Sequence, residues 1–217
     1  MTEPVRVLLV DDDALVRAGL RLMLGGAPDI EVVGEAVDGA SVPDQVNRTR
    51  PDVVLMDVRM PVVDGIAATR ALAGTRPAVI VLTTFDADAT VVEALRAGAA
   101  GFLLKHTPPE QIVEAVRRAA AGEPVLSPSV ARTLIDHVAA GGDTTRRDRA
   151  RERLAALSER ERAVASAVAE GLSNGDIAER LFMSVGTVKA HISSALAKLD
   201  LTNRIQLALL AHDAGDS

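Results

Sequence analysis

Residues able to do phosphate chemistry recur where short apolar runs end. Asp11, Asp12 and Asp13 follow VRVLLV (5–10), Asp57 follows VVLM (53–56), Thr83 follows AVIVL (78–82), and Lys105 follows AGFLL (100–104). If these runs are strands of an open α/β sheet, a ligand belongs beyond their carboxyl ends. With the first and third strands adjacent, three or four carboxylates gather at one edge. Like charges that close repel, and a divalent cation is the natural remedy; an all-oxygen set selects Mg²⁺ or a similarly hard ion. A carboxylate beside Mg²⁺, a hydroxyl and an ammonium makes a phosphoryl-transfer site. Asp57 would attack phosphorus as the nucleophile, giving an aspartyl phosphate, and Thr83 and Lys105 would hold the phosphoryl oxygens. Taken singly, each residue has a plainer role: an Asp after a strand, Asp13 and most of the others alike, caps a helix or makes a turn, and a lone Thr or Lys there is structural or solvated. The phosphoryl reading rests on four strand ends carrying the right chemistry in the right order.

The elements that must position these groups are legible in the apolar pattern. Five runs, those above and IEVVGEA (30–36), are short, rich in Val, Ile and Leu, and bounded by Gly, Pro or Asp. Near-continuous apolar runs suit strands buried on both faces, as in a parallel sheet. Helical stretches such as ALVRAGLRLML (14–24) and ATVVEALRAG (89–98) lie between them. Five β–α repeats predict a doubly wound, five-stranded parallel sheet. Thr107 is expected to cap the last helix, with Pro108 at its first position and Glu110 three after Thr107. Pro43 falls in the expected second helix (38–48) and should start it late or distort it.

Composition narrows the class. With 48% hydrophobic and 25% charged residues the chain is expected to be soluble and globular rather than disordered. No apolar run approaches the roughly 18 residues of a membrane span. The N-terminus, MTEPVRVLLVDDD, does not read as a secretory signal. The absence of cysteine excludes disulfides and thiolate metal sites, so a cytoplasmic protein without membrane contact is expected. The net charge of -6 belongs to residues 1–125, with 12 Lys and Arg against 18 Asp and Glu; residues 126–217 carry 12 of each. Whole-chain acidity therefore does not exclude a nucleic-acid partner for the second part.

That second part is helical. Residues 128–140 have a helical pattern, GGDTT (141–145) breaks it, and RRDRARER (146–153) reads as a solvated helix face, with an electrostatic DNA contact as the weaker alternative; 121–154 is therefore expected to be a partly helical linker. From 155 onward four helical pieces are expected, a small all-α domain. Ser158 with Glu161 forms a capping box, Ser173 with Asp176 a weaker variant, Ser184 opens the third piece, and Gly171 ends the first. In the third piece Val188, Ile192, Ala195, Leu196 and Leu199 share one stripe. The other side carries Gly186, Thr187, Ala190, Ser193, Ser194 and Ala197, flanked by Lys189. A helix with so small and polar an outer face can enter a major groove closely, or can simply be exposed.

Two resemblances extend this reading. VDD (10–12), LMDVRMPVVDG (55–65), LTT (82–84) and GFLLK (101–105) resemble the receiver domain of two-component response regulators over about residues 5–120. The resemblance implies that Asp57 accepts a phosphoryl group from a sensor histidine kinase, with slow autodephosphorylation. It implies that Asp11, Asp12, Asp57 and the backbone carbonyl of Arg59 bind Mg²⁺, that Thr83 and Lys105 contact the phosphoryl group, and that Thr83 and Phe102 are the switch residues. His106 departs from the family's usual Asp or Pro. Residues 157–210 resemble the LuxR-type (NarL/FixJ-like) helix-turn-helix through SNGDIAERL, TVKAHI and KLDLTNRIQ. This implies a second helix at about 174–181 and a recognition helix at about 185–198 in double-stranded DNA, with Thr187, Lys189, Ala190, His191, Ser193 and Ser194 as contacts. Asp200 stands where the family usually has Gly. A homodimer on DNA is expected, with Leu207, Leu210 or Ala211 either at its interface or in the core. The expected organisation is a receiver over 1–120, a linker over 121–154 and the DNA-binding domain over 155–217.

Two rivals use the same residues. A haloacid-dehalogenase-type phosphatase combines an aspartyl nucleophile, Mg²⁺, Thr or Ser and Lys, but its nucleophile ends the first strand in DxDx(T/V), which DDDAL does not complete. A DNA-binding protein with a vestigial receiver would have no need of the full acid–Thr–Lys set.

Overall fold

The computed structural model describes residues 3–84, 88–126 and 144–215, divided between two compact units, Met1–Ala131 and Arg132–Ser217. In the first unit strands and helices alternate: β1 (Val5–Val10), α1 (Ala14–Gly25), β2 (Ile30–Ala36), α2 (Val42–Thr49), β3 (Val53–Met56), α3 (Gly65–Ala71), β4 (Ala78–Thr83), α4 (Asp88–Ala97), β5 (Gly101–Leu104), α5 (Pro109–Ala120) and β6 (Val125–Leu126). All strand pairs are parallel, in the order β2-β1-β3-β4-β5-β6. Successive strand residues point to opposite faces, and both faces are covered. Val7, Leu9, Leu55, Ile80 and Leu82 pack with Leu20 and Leu24 of α1 and Ile112 and Val116 of α5. Leu8, Val10, Val54, Met56 and Val79 pack with Val42 of α2 and Ala68 of α3. This two-sided burial is why the strands read as unbroken apolar runs.

Register then decides which residues meet. Val10 lies opposite Met56, so Asp11 and Asp57 leave the sheet side by side. Thr83 lies opposite Leu104, so Lys105 leaves next to Thr83. The chain runs outward from β1 to β2 and then back across to β3. The β1–β3 crevice is therefore the point where strand order reverses, the place such sheets reserve for ligands.

Several expectations are corrected. Among the described residues the sheet has six strands rather than five, because Val125 and Leu126, expected in the linker, pair with Gly101 and Phe102. Gly101 permits this, since a Cβ there would lie 2.8 Å from the Val125 side chain. Helix α5 begins at Pro109 and its N-cap Pro108 makes no side-chain cap bond, so Thr107 does not cap it. Pro43 sits in the first turn of α2, which starts at Val42, later than the expected 38. The helical pattern at 128–140 lies outside the described residues.

The second unit has five helices among its described residues: α6 (Thr144–Leu154), in the stretch expected to be a partly helical linker, and then the four expected from 155 onward, α7 (Glu159–Ala169), α8 (Asn174–Arg180), α9 (Val185–Lys198) and α10 (Arg204–Ala214). The charge run is helix α6 and belongs to the fold. Ala150 and Leu154 are buried with Leu157, Leu207, Leu210 and Ala211. Arg151 donates to the Ala214 carbonyl at 3.0 Å and Arg153 to the Leu199 carbonyl at 2.5 Å. Each arginine thus satisfies a carbonyl left unpaired at a helix C-terminus and opposes its negative dipole end. Leu207, Leu210 and Ala211 are core residues and present no interface.

Glu161 ties the unit together. Its Oε2 accepts from the Ser158 N–H at 2.8 Å, closing the capping box, and from Lys198 Nζ at 2.7 Å; its Oε1 accepts from Ser194 Oγ at 2.6 Å. One carboxylate, 4% exposed, therefore fixes the start of α7 against the second half of α9. The Lys198 ammonium, the Ser194 hydroxyl and the Ser158 N–H hold this carboxyl well below the usual carboxylate range. A lowered folded-state pKa stabilises the fold above the unfolded value, near 4.5, and that stability is lost as pH falls toward the folded value. Glu161→Gln should destabilise the full chain's C-terminal unit by roughly 2 kcal/mol at pH 7, because the amide cannot accept from every donor. Hydrogen exchange of α7 and α9 amides would show the loss. The gap to the parent should narrow below pH 4.5, and a gap independent of pH would contradict the account.

Candidate functional site

Backbone hydrogen bonds seat the acidic residues before any side chain is considered. Asp57 N–H donates to the Val10 carbonyl at 2.8 Å and Asp11 N–H to the Ala36 carbonyl at 3.2 Å. Lys105 N–H donates to the Thr83 carbonyl at 2.8 Å, extending the β4–β5 ladder to the lysine. The side chains then converge. Lys105 Nζ lies 2.6 Å from Asp11 Oδ2 and 3.2 Å from Asp57 Oδ2. Carboxylate oxygens of Asp11, Asp12 and Asp57 all lie within 4.8 Å of one another. Asp11, Asp57 and Thr83 are buried and Asp12 is exposed, so the cluster is open on one side.

The electrostatics are unbalanced. Burial pushes the Asp57 carboxyl above the ordinary carboxylate range, the Asp11 carboxylate adds to this, and Lys105 opposes it without cancelling it. Burial alone would lower the Lys105 ammonium, but its bond to Asp11 and the charge of Asp57 carry it above its usual value. Three carboxylates face one ammonium. The oxygen-only donors and the surplus negative charge fit a hard divalent cation.

Of the remaining sequence-based candidates, Phe102 is fully buried on β5. Arg59 is exposed in the loop after β3, two residues past Asp57. Asp13 is the α1 N-cap, accepting from the Leu15 N–H at 2.8 Å, and its own N–H donates to Asp11 Oδ1 at 3.0 Å.

Two supporting residues were not singled out from sequence. Arg17 donates to the Asp11 carbonyl at 2.7 Å and pairs with Glu35 at 2.9 Å, bracing the acidic turn from α1. Its signal was one helical turn of spacing from Asp13. Gly65 opens α3 directly behind Asp57, and its N–H donates to the Val58 carbonyl at 2.9 Å. A Cβ at Gly65 would fall 1.8 Å from the Asp57 carbonyl oxygen. Only the absence of a side chain lets α3 approach the Asp57 backbone so closely.

In the second unit, α9 buries Val188, Ile192 and Ala195 and exposes Thr187, Lys189, Ala190 and Ser193. His191 is half-buried. Ser194, expected on the outer face, is half-buried with its hydroxyl committed to Glu161. At the helix start Ser184 Oγ accepts from the Thr187 N–H at 3.0 Å and lies 2.8 Å from the Thr187 hydroxyl. Buried Arg204 donates to Asn174 Oδ1 and to the Leu172 carbonyl, fixing the start of α8.

A parallel α/β sheet with a Lys-bridged acidic cluster, followed by a helix-turn-helix unit, defines a class: signal-receiving transcription regulators. The family described as response regulator receiver domain matches residues 7–117, and that described as bacterial regulatory proteins, luxR family, matches residues 155–211. The chain therefore belongs to the two-component response regulators with a LuxR-type output domain, which regulate transcription in response to phosphorylation. It is 40% identical over 210 residues to the transcriptional regulatory protein LiaR of Bacillus subtilis, covering 96% of this chain and 97% of that one. It is 36% identical over 215 residues to the nitrate/nitrite response regulator protein NarL of Escherichia coli K12, covering 97% and 96%. Among solved structures it is similar to the response regulator ChrA of a heme-sensing two-component system, with 38% identity, a TM-score of 0.54 and 100% of both chains covered. Among the described residues no helix is long and apolar enough to cross a membrane.

Gly65→Ala is expected to destabilise the N-terminal unit by about 3 kcal/mol, since backbone must move to admit the methyl group. Gly19→Ala, whose Cβ meets nothing within 4 Å, should be neutral or stabilising. Urea unfolding of both variants would check the contrast.

Proposed function

We propose that Asp57 is the phosphoacceptor, that Asp11, Asp12, Asp57 and the Arg59 carbonyl hold a Mg²⁺ ion, and that phosphorylation controls promoter binding through α9. The observation that carries this is the convergence of Asp11, Asp57 and Lys105 at the β1–β3 crevice. A sensor histidine kinase is the proposed donor: an Asp57 oxygen attacks phosphorus, the P–O bond forms, and the P–N bond to the kinase's phosphohistidine breaks. Mg²⁺ would supply charge neutralisation on the phosphoryl oxygens. Lys105 stabilises the Asp57 carboxylate before transfer and pairs with the phosphoryl group afterwards, while the Thr83 hydroxyl donates to it. Slow autodephosphorylation follows when water attacks phosphorus and the Asp57 carboxylate leaves. Thr83 and Phe102 are proposed to carry the change outward.

Under this reading, residues 1–120 form the receiver, 121–154 the connection and 155–217 the DNA-binding domain, with α6 braced against the latter. The protein is cytoplasmic and does not engage membranes. It binds double-stranded DNA as a homodimer, since paired half-sites are the usual geometry for helix-turn-helix proteins. This is supported by the solved structure of two RcsB dimers bound to DNA, 27% identical with a TM-score of 0.56. Lys189, Thr187, Ala190 and Ser193 form the contact face, with His191 at its edge. Because long donors are few on this face, DNA shape supplies much of the selectivity.

Asp57→Asn should abolish phosphoryl uptake from an acyl-phosphate donor while leaving the melting temperature within a few degrees of the parent; stoichiometric labelling of that variant would remove Asp57 from its role. Lys189→Ala should weaken binding to selected duplexes. A loss about tenfold greater on selected than on scrambled sequence marks base reading, and an equal loss marks a phosphate contact.

A further inference from the structure

Among the described residues, five helices end in the same hydrogen-bonded turn. In each, a residue just past the helix has positive φ and donates to the carbonyl three residues back, and the next residue donates to the carbonyl five back. The pairs are Gly98 and Ala99, Gly122 and Glu123, Gly171 and Leu172, Asp200 and Leu201, and Phe182 and Met183. A side chain at the left-handed position strains the backbone, which glycine avoids and a short polar residue tolerates. Three of the five turns use glycine and one uses aspartate. Phe182, at φ 54, is the exception.

The fold gives the ring nothing in return. Phe182 is 96% exposed, whereas Phe102 is fully buried. The turn that presents it is firm: Met183 N–H donates to the Ala178 carbonyl at 2.9 Å, and Met183 packs against the core containing Ile177 and Val188. Phe182 stands two residues before Ser184, the N-cap of α9, and three before Val185, itself 44% exposed. It is thus exposed just ahead of the helix that exposes Thr187, Lys189 and Ala190, at the end where backbone N–H groups and hydroxyls suit phosphate.

We propose that Phe182 is a DNA-contact residue whose ring packs on a deoxyribose of the backbone bordering the groove that α9 enters. The inference rests on the placement of α9 proposed above. Such a contact adds affinity without reading sequence and releases no counterion. It offsets the scarcity of long donors on α9.

The test uses the full-length chain, treated with acyl phosphate, and a labelled mixed-sequence duplex of about 30 base pairs, three helical turns. Phe182→Gly and Phe182→Asn suit the left-handed turn, so both should melt at or above the parent's temperature. Both should bind about fivefold more weakly at every salt concentration, with the slope of log affinity against log salt unchanged. Parent-like affinity, a lowered melting temperature or a shallower slope would each overturn the proposal. Lys189→Ala run alongside should lose affinity and about one unit of slope. If it does so while the Phe182 variants bind normally, only the ring contact fails. If all three bind normally, the placement of α9 fails with it.

Discussion

The rest of this protein depends on two carboxylates being forced against one ammonium. Backbone pairing of Val10 with Met56 delivers Asp11 and Asp57 to the same edge, and pairing of Thr83 with Leu104 delivers Lys105 beside them. None of the three can retreat, because each follows directly on a buried strand. The resulting charge imbalance is a property of the sheet register. It leaves an acidic cluster that could hold a cation, and it places that cluster where strand order reverses.

The two units use charge differently. In the receiver the acidic cluster is left unbalanced and open, as a site that must bind something requires. In the helix-turn-helix unit the comparable carboxylate, Glu161, is fully satisfied by Ser158, Ser194 and Lys198, and it holds α9 in position. The arginines of α6 act in the same way on the carbonyls that end α9 and α10. Saturated polar groups rigidify a helix bundle, and an unsaturated one creates a site.

Much was legible in sequence because it is local. The two-sided burial of β3 shows in VVLM, and the capping boxes of Ser158 and Ser173 show in three-residue spacings that the structure reproduces. Asp200, flagged for replacing glycine, does adopt the left-handed conformation that glycine would favour. The misses were long-range. RRDRARER is the solvated helix face its pattern suggests, with Arg147, Arg149, Arg151 and Arg153 exposed, but nothing nearby in sequence shows that Arg151 and Arg153 reach the carbonyls of Ala214 and Leu199, 63 and 46 residues away. Helical angle alone puts Ser194 on the outer face, yet its hydroxyl turns inward to a carboxylate 33 residues earlier. Val125 and Leu126 are too short a run to read as a strand without β5 beside them.

The sequence by itself determined the elements, their order, and the kinds of atoms at each strand end, because propensity, capping and apolar period act within a few residues. It thereby determined that phosphate chemistry and a groove-sized helix were available. Tertiary structure alone decided that Asp11 and Asp57 share Lys105, that Gly65 must have no side chain, and that Leu207 and Leu210 are core residues. Those facts depend on register and packing between segments far apart in the chain, and a carboxylate's charge acts only on what folding brings within a few ångströms of it.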